Sequence, residues 1–202
     1  MKHRLACVAL ALLLAGCASG LAPIPPRSTP SPIVLTTALP DVWGILGQTP
    51  LHIPTLAPGD PCPVAPDTQV DPSFGDAVGS GPLYLVGLGQ QGTVDLNQAA
   101  DYRNGLYTVL LLAIAPPAYA VDMLMRGRQV DGSNSVLFTL SPGSDLLGQW
   151  QLSPDDAGQS ETGWLAWNGY IEVPGPGCYG LQIDGAGFSE VVIFRIIQSQ
   201  AG

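Results

Sequence analysis

The chain has 202 residues and a formal net charge of −9 at pH 7, although only 11% of its residues are charged. Sixteen carboxylates outnumber seven lysines and arginines, so the surface repels phosphate backbones and anionic headgroups, and nucleic acid is excluded as a partner. Glycine (25 residues) and proline (20 residues) are abundant, which is typical of short elements joined by many turns.

The first 16 residues are predicted to be a signal peptide. Lys2 and Arg4 precede an uncharged apolar run, residues 5–14, which is shorter than the roughly 20 apolar residues that span a bilayer. Residues 14–17, Leu-Ala-Gly-Cys, resemble the lipobox of bacterial lipoproteins. The resemblance implies that Cys17 carries acyl chains such as palmitate, which would attach the protein to the cell membrane or outer membrane on its extracytoplasmic side. The alternative is an ordinary secretory signal that leaves Cys17 as a free thiol.

Residues 17–60 are predicted to form a proline-rich tether. Proline lacks a backbone donor and fixes φ, so no central strand or helix can run through most of this segment. The first half, to Pro32, is expected to be a semi-rigid spacer. Residues 33–47, IVLTTALPDVWGILG, are too apolar for a disordered linker and are expected to pack along the following domain.

Residues 61–202 are predicted to form a β-sandwich or barrel. Eight short apolar, β-branched or aromatic runs lie between turn residues, at positions 81–89, 106–114, 120–130, 135–140, 146–152, 168–173, 178–184 and 189–198. An Asp-Gly turn between the third and fourth runs predicts a hairpin. The alternation in residues 178–184 predicts one buried face, whereas residues 191–196 are apolar on both faces, as in a central strand. One helical turn fits residues 95–105.

The four cysteines divide into two groups. Cys7 leaves with the signal peptide and Cys17 is the predicted lipid site, so Cys62 and Cys178 remain as one pair in an oxidising compartment and are predicted to form a disulfide. A free buried thiol is the alternative. A cysteine nucleophile needs a base, and the only histidine after the signal peptide is His52, in a proline-rich segment. Zinc needs three or four Cys or His ligands, so no metal site is predicted.

Two stretches carry a family resemblance. Residues 123–140, MLMRGRQVDGSNSVLFTL, and residues 174–195, PGPGCYGLQIDGAGFSEVVIFR, resemble a family of uncharacterised secreted or lipid-anchored bacterial proteins. The resemblance covers residues 60–197. It implies an all-β fold, an immunoglobulin-like antiparallel β-sandwich preceded by the signal peptide and the proline-rich linker. It also agrees with the Cys62–Cys178 pair, and it implies no activity.

Aromatic residues are the first candidates for ligand binding. Trp150, Trp164, Trp167 and Tyr170 lie close together in sequence, and aromatic rings on a β-sandwich can stack on sugars or peptide groups. Trp150 and Trp164 are expected to fill the core. Trp167 is expected to be exposed, and it is predicted with Tyr170 as ligand-binding.

Two arginines are the other candidates. Arg126 and Arg128 are two residues apart and therefore lie on the same face of a strand. They are expected either to pair with Asp122 or an acidic loop, or to present a binding site for an anionic ligand.

The sequence offers little catalytic chemistry. No Gly-x-Ser-x-Gly elbow accompanies His52, and Gly87 and Gly89 have no helix behind them to cradle a phosphate. Three carboxylates in the run SPDDAGQSE are more typical of a solvated loop than of a catalytic pair or a calcium loop: Asp155, Asp156 and Glu161. No catalytic residue, metal or cofactor is predicted.

These observations together predict a lipid-anchored extracytoplasmic β-sandwich with a binding or structural role at the cell envelope. Its expected partners are the membrane, through acylated Cys17, and an envelope protein or glycan. The alternatives are a carbohydrate- or peptidoglycan-directed enzyme or accessory domain that uses residues 155–161, and a subunit of an envelope complex.

Overall fold

The computed structural model describes residues 41–57, 59–99 and 101–200. The predicted signal peptide, Cys17 and the first part of the tether lie outside the described residues. The described residues contain one α-helix, α1 (Val42–Gly47). It begins where the Asp41 carboxylate accepts hydrogen bonds from the N–H groups of Trp43 and Gly44. In this part of the chain, no helix combines the length and the apolarity that crossing a bilayer requires.

The described residues also form thirteen strands and four 3-10 turns. The strands are β1 (Asp67–Thr68), β2 (Ala77–Val78), β3 (Tyr84–Val86), β4 (Thr93–Asp95), β5 (Asp101–Arg103), β6 (Leu106–Ala115), β7 (Met123–Gln129), β8 (Ser135–Thr139), β9 (Trp150–Leu152), β10 (Gly158–Gln159), β11 (Leu165–Val173), β12 (Gly177–Gly185) and β13 (Phe188–Ile197). The 3-10 turns are Gln90–Gly92, Leu96–Gln98, Pro117–Tyr119 and Pro154–Asp156.

The strands form one curled sheet in the order β1-β2-β3-β6-β11-β8-β7-β12-β13-β4. Strand β8 pairs with β11 on one side and with β7 on the other, so it joins two parts of the sheet. We call the part with β3, β5, β6, β10 and β11 sheet 1, and the part with β7, β9, β12 and β13 sheet 2. The predicted all-β, sandwich-like fold is confirmed. One pairing, β4 with β13, is parallel rather than antiparallel.

The main core includes the inward faces of both sheets. On β6 the odd-numbered residues Val109, Leu111 and Ala113 belong to this core, so the even-numbered residues point outward. Leu110 is accordingly 52% exposed. The same parity holds on β11, where Ile171 is fully buried. Sheet 1 therefore presents the even-numbered residues of both strands on its outer face.

The expectation that Trp167 is exposed is wrong. Trp167 is 4% exposed and belongs to the core, where its indole N–H donates to the carbonyl of Ser153 at 2.7 Å. The reason is that β11 begins at Leu165, which places Trp167 on the inward face. Gly169, inside the strand run predicted at residues 168–173, packs against Trp150, and an added Cβ would lie 2.6 Å from that indole. Trp150 is buried, as expected.

The outer face of sheet 2 is covered by residues 48–57, which we call the strap. The side-chain amide of Gln182 donates to the Pro50 carbonyl at 2.9 Å and accepts from the His52 N–H at 2.5 Å. Gln182 and Asp184 are 0% and 1% exposed, so β12 is buried on both faces rather than on the one face that its alternation predicts. Of the apolar residues 33–47 that were expected to pack, the structure describes 41–47, in which Leu46 is buried whereas Val42 and Ile45 are 36% and 52% exposed.

The strap ends near the disulfide that the cysteine count predicts. The sulfur atoms of Cys62 and Cys178 are 2.02 Å apart, and their Cα atoms are 5.5 Å apart. Cys178 forms a small second core with Ile53 of the strap, Val130 and Ile193. The covalent bond therefore fixes the end of this entry segment to the start of β12.

Candidate functional site

The outer face of sheet 1 is the candidate functional site, because the described residues leave it open over much of its length. Tyr170 on β11 lies opposite Leu110 on β6, and Asn168 lies opposite Leu112. Tyr170 is half-buried and Asn168 is exposed. An aromatic ring, an amide and an exposed aliphatic side chain therefore lie side by side on a rigid sheet.

An aromatic cleft lies at one end of this face. It has a volume of about 470 Å³, within the range of roughly 300–1,000 Å³ that small-molecule sites occupy. Its lining combines aromatic rings with proline, glycine, serine and valine: Val70, Ser80, Gly81, Pro82, Tyr84, Pro116, Tyr119 and Trp164. The rings of Tyr84 and Trp164 have centroids 6.1 Å apart and planes inclined at 50°. These two rings form a V-shaped apolar wall.

Hydrogen bonds position the loop that carries Trp164. The Trp164 N–H donates to the Ser160 hydroxyl at 3.1 Å, and the Ser160 N–H donates to the Trp164 carbonyl at 2.9 Å. The Thr162 hydroxyl donates to the Asp71 carboxylate. Hydrogen bonds from Ser73 and Thr162 lower the pKa of Asp71, which keeps this acceptor ionised at neutral pH. The loop is therefore tied both to itself and to the segment before β2.

A buried carboxylate lies behind the wall of the cleft. Glu190 is 7% exposed, and its Oε1 accepts from the Ser80 N–H, the Ser80 hydroxyl and the Gly81 N–H at 2.5, 3.0 and 3.1 Å. Its Oε2 is buried without a hydrogen-bond partner. Burial raises the pKa of Glu190, while the hydrogen bonds from Ser80 and Gly81 oppose that rise. Ser80 and Gly81, which both donate to this carboxyl group, also line the cleft.

A second, acidic pocket lies at the other end of the face. Its central residues, Asp101, Thr108 and Glu172, are register partners on β5, β6 and β11. Thr108 is six residues from Ile114, the β6 partner of Tyr84, so about 20 Å of strand separates the two ends. The face therefore combines an aromatic end, a mixed centre and an acidic end.

The two arginines predicted as ligand-binding bind the strap instead. Arg126 forms a 2.6 Å ion pair with Asp184, not with Asp122, and also donates to the Thr49 carbonyl at 2.7 Å. Arg128 donates to the Ile53 carbonyl at 2.6 Å. The two lie on one face, as expected. Their guanidinium groups are directed at the strap rather than at an open anion site.

The remaining sequence candidates are scattered. Asp155 and Asp156 are exposed on a 3-10 turn, and Glu161 is exposed in the loop that follows β10. Within residues 41–57, 59–99 and 101–200, no group of three or more Cys, His, Asp or Glu side chains is placed to hold a metal ion. Tyr170, by contrast, lies on the outer face of sheet 1, opposite Leu110.

Sequence reasoning missed the residues that form the aromatic cleft. Tyr84 lies in a predicted run, yet nothing local shows that it meets Trp164, 80 residues later. Trp164 was expected in the core but is half-buried in the cleft wall. The pairing of β3 and β11 with the two edges of β6 brings the two rings together. Only the sheet order could have revealed the contact.

Comparisons of this chain with protein-family models, with curated proteins and with solved structures find no match. The function must therefore be argued from the geometry of the outer face of sheet 1.

Proposed function

We propose that the protein is a lipid-anchored, extracytoplasmic binding module that holds a carbohydrate of the cell envelope on the outer face of sheet 1, without catalysis. The observation that supports this most is the aromatic cleft of Tyr84, Tyr119 and Trp164. The lipobox-like sequence before Cys17 and the family resemblance are the grounds for the proposed location.

A carbohydrate suits this surface for two physical reasons. Aromatic rings bury the apolar faces of sugar rings, and the phenol of a tyrosine adds a polar group at the edge of the contact. Asn168 and Tyr170 continue the surface from the cleft, so an extended chain has both stacking and hydrogen-bonding positions along about 20 Å.

Binding fits the cleft better than hydrolysis. Glycoside hydrolysis typically needs two carboxyl groups that flank one scissile bond. The described residues that line the cleft include no carboxylate, and Glu190 lies behind Ser80 and Gly81. Asp155, Asp156 and Glu161, on which the enzymatic alternative depends, are exposed.

Trp164→Ala is expected to weaken the binding of soluble peptidoglycan fragments at least tenfold in Kd, which corresponds to about 1.4 kcal/mol, because it removes one wall of the cleft. Isothermal titration calorimetry measures the affinity. Trp43→Ala is the matched control, since Trp43 is a half-buried tryptophan that lines a different cavity. Equal affinity in the wild type and a folded Trp164→Ala variant would contradict the proposal.

Cys17→Ala is expected to release the protein from the membrane or to leave its leader uncleaved, because no acyl chain can then be attached. Fractionation of cells and mass spectrometry of the N-terminal peptide measure the outcome. A wild-type protein that is cleaved before Cys17 and carries no lipid would refute the anchor, while the carbohydrate site would remain to be judged by the Trp164 experiment.

A further inference from the structure

The acidic pocket at the far end of the outer face of sheet 1 is a partly enclosed cavity with a buried charged group, Glu172, on its wall. Its volume is about 190 Å³, below the roughly 300 Å³ of the smallest usual ligand sites. It therefore suits one chemical group of a larger ligand. Its lining is largely polar: Asp101, Arg103, Asn104, Leu106, Thr108, Gly143, Ser144, Leu146 and Glu172.

Glu172 is the central group of this pocket. It is 6% exposed, and both of its carboxylate oxygens lie near one donor, the Thr108 hydroxyl, at 2.9 and 3.0 Å. That hydroxyl has a single proton, whereas an ionised carboxylate has about four acceptor positions. Glu172 thus retains acceptor positions in a place where water is scarce, and such under-supplied buried groups are uncommon.

The surroundings of Glu172 disfavour its charged form. Burial raises the pKa of Glu172, and the Asp101 carboxylate raises it further. The hydrogen bond from the Thr108 hydroxyl and the charge of Arg103 lower it. A cation placed against Glu172 would relieve both the desolvation and the repulsion from Asp101.

Arg103 does not occupy that position. It forms its 2.9 Å ion pair with Asp101 at the exposed rim, where the two side chains are 59% and 35% exposed. An added Cβ at Gly143 would collide with Arg103, so the guanidinium lies against the loop that forms the opposite wall. Two carboxylates and one guanidinium leave the pocket one negative charge in excess when all three are ionised.

We propose that this pocket binds a primary ammonium group of a ligand that lies on the outer face of sheet 1. An ammonium is a compact point charge with three donors, which matches one excess negative charge and the free acceptor positions of Glu172. Leu106 and Leu146 on the wall can contact the methylene group that carries the ammonium. This proposal concerns a separate pocket and holds whether or not the aromatic cleft binds a carbohydrate.

Two other kinds of ligand fit less well. An anion would be repelled by Glu172 and Asp101. A divalent cation prefers six or more oxygen ligands, and no group of three acidic, histidine or cysteine side chains is assembled for a metal in the part of the chain that the structure describes.

The test compares n-butylammonium with n-butanol, which have the same alkyl chain, on the full-length protein. Backbone amide shifts of Thr108 and Glu172 are followed by NMR during each titration. A saturable shift with n-butylammonium and none with n-butanol is expected. Glu172→Gln should weaken n-butylammonium binding at least tenfold, whereas Asp156→Asn, which changes an exposed carboxylate, and Trp164→Ala should leave it unchanged.

Asp101→Asn provides a second reading if Glu172→Gln fails to fold. It removes one half-buried carboxylate, cancels the excess negative charge and is expected to weaken n-butylammonium binding severalfold. Equal shifts with both compounds, no saturable shift with either, or unchanged affinity in both Asp101→Asn and a folded Glu172→Gln variant would overturn the proposal.

Discussion

Replacing Cys62 and Cys178 together by serine is expected to lower the free energy of unfolding by about 4–5 kcal/mol. The two residues are 116 positions apart, and opening so long a loop gives the unfolded chain much more conformational freedom. For a domain of this size the loss corresponds to a fall in melting temperature of roughly 10–20 °C. Differential scanning calorimetry of the oxidised wild type and the double variant measures it.

The reduced wild type is the control for this experiment, because it keeps both cysteine side chains and lacks only the bond. It should melt close to the double variant. Melting temperatures within 2–3 °C of each other for the oxidised protein, the reduced protein and the variant would show that the bond adds little to stability.

Replacing Arg126 by methionine is expected to lower the free energy of unfolding by about 3–5 kcal/mol. The change leaves the carboxylate of Asp184, whose side chain is 2% exposed, without its cationic partner. It also removes the donors to the carbonyls of Gly47 and Thr49. Urea unfolding measures the loss, and hydrogen exchange of the His52 and Leu56 amides shows whether the strap detaches.

Arg103→Met is the matched control, because its ion pair with Asp101 is exposed and such pairs contribute about 0–1 kcal/mol. The double change Arg126→Met with Asp184→Asn should cost less than Arg126→Met alone, since no buried charge is then left unpaired. If Arg126→Met and Arg103→Met destabilise the protein equally, the buried pair has no special role.

The longer strands were predictable because their sequences are rich in β-branched or aromatic residues and bounded by turn residues. The run at residues 106–114 corresponds closely to β6, and the run at residues 178–184 lies within β12. The two-residue strands β1, β2 and β10 were missed because so short a segment has no period to detect. The disulfide pair followed from the cysteine count once Cys7 was assigned to the predicted signal peptide and Cys17 to the predicted lipid site.

The burial of β12 was not predictable from its own residues. Gln182 and Asp184 are ordinary surface residues by type. Gln182 is buried here because its amide contacts the main chain of the strap, and Asp184 is buried beside Arg126, which donates to the same main chain. A proline-rich segment has few N–H groups but keeps all its carbonyls, so it needs donors from elsewhere. Arg126 and Arg128 provide them. Two arginines on one strand face with a proline-rich segment upstream are the signal that could have indicated this contact.

The sequence pointed to aromatic residues as candidates for ligand binding, but it did not identify most of the residues that form the candidate site. Tyr170, predicted as ligand-binding, lies half-buried on the outer face, whereas the expected exposure of Trp167 is wrong because one residue of strand register reverses the face of a side chain. Tyr84 and Trp164 meet only through the order of strands in sheet 1. Glu172 and Asp101 come near each other only because β11 and β5 both pair with β6, where each is the register partner of Thr108. Such long-range pairings are not encoded in any local pattern.

The disulfide also determines how the domain would respond to a mechanical load. A pull on the chain ahead of α1 would first peel residues 41–61 from sheet 2, because hydrogen bonds and small apolar contacts hold them. Peeling would stop at Cys62, where the force passes covalently into the first residues of β12. Residues 41–61, when fully extended, span about 70 Å, which sets an upper limit on how far the connection lengthens. The outer face of sheet 1 lies outside that path, so a ligand held there would stay bound while the connection lengthens.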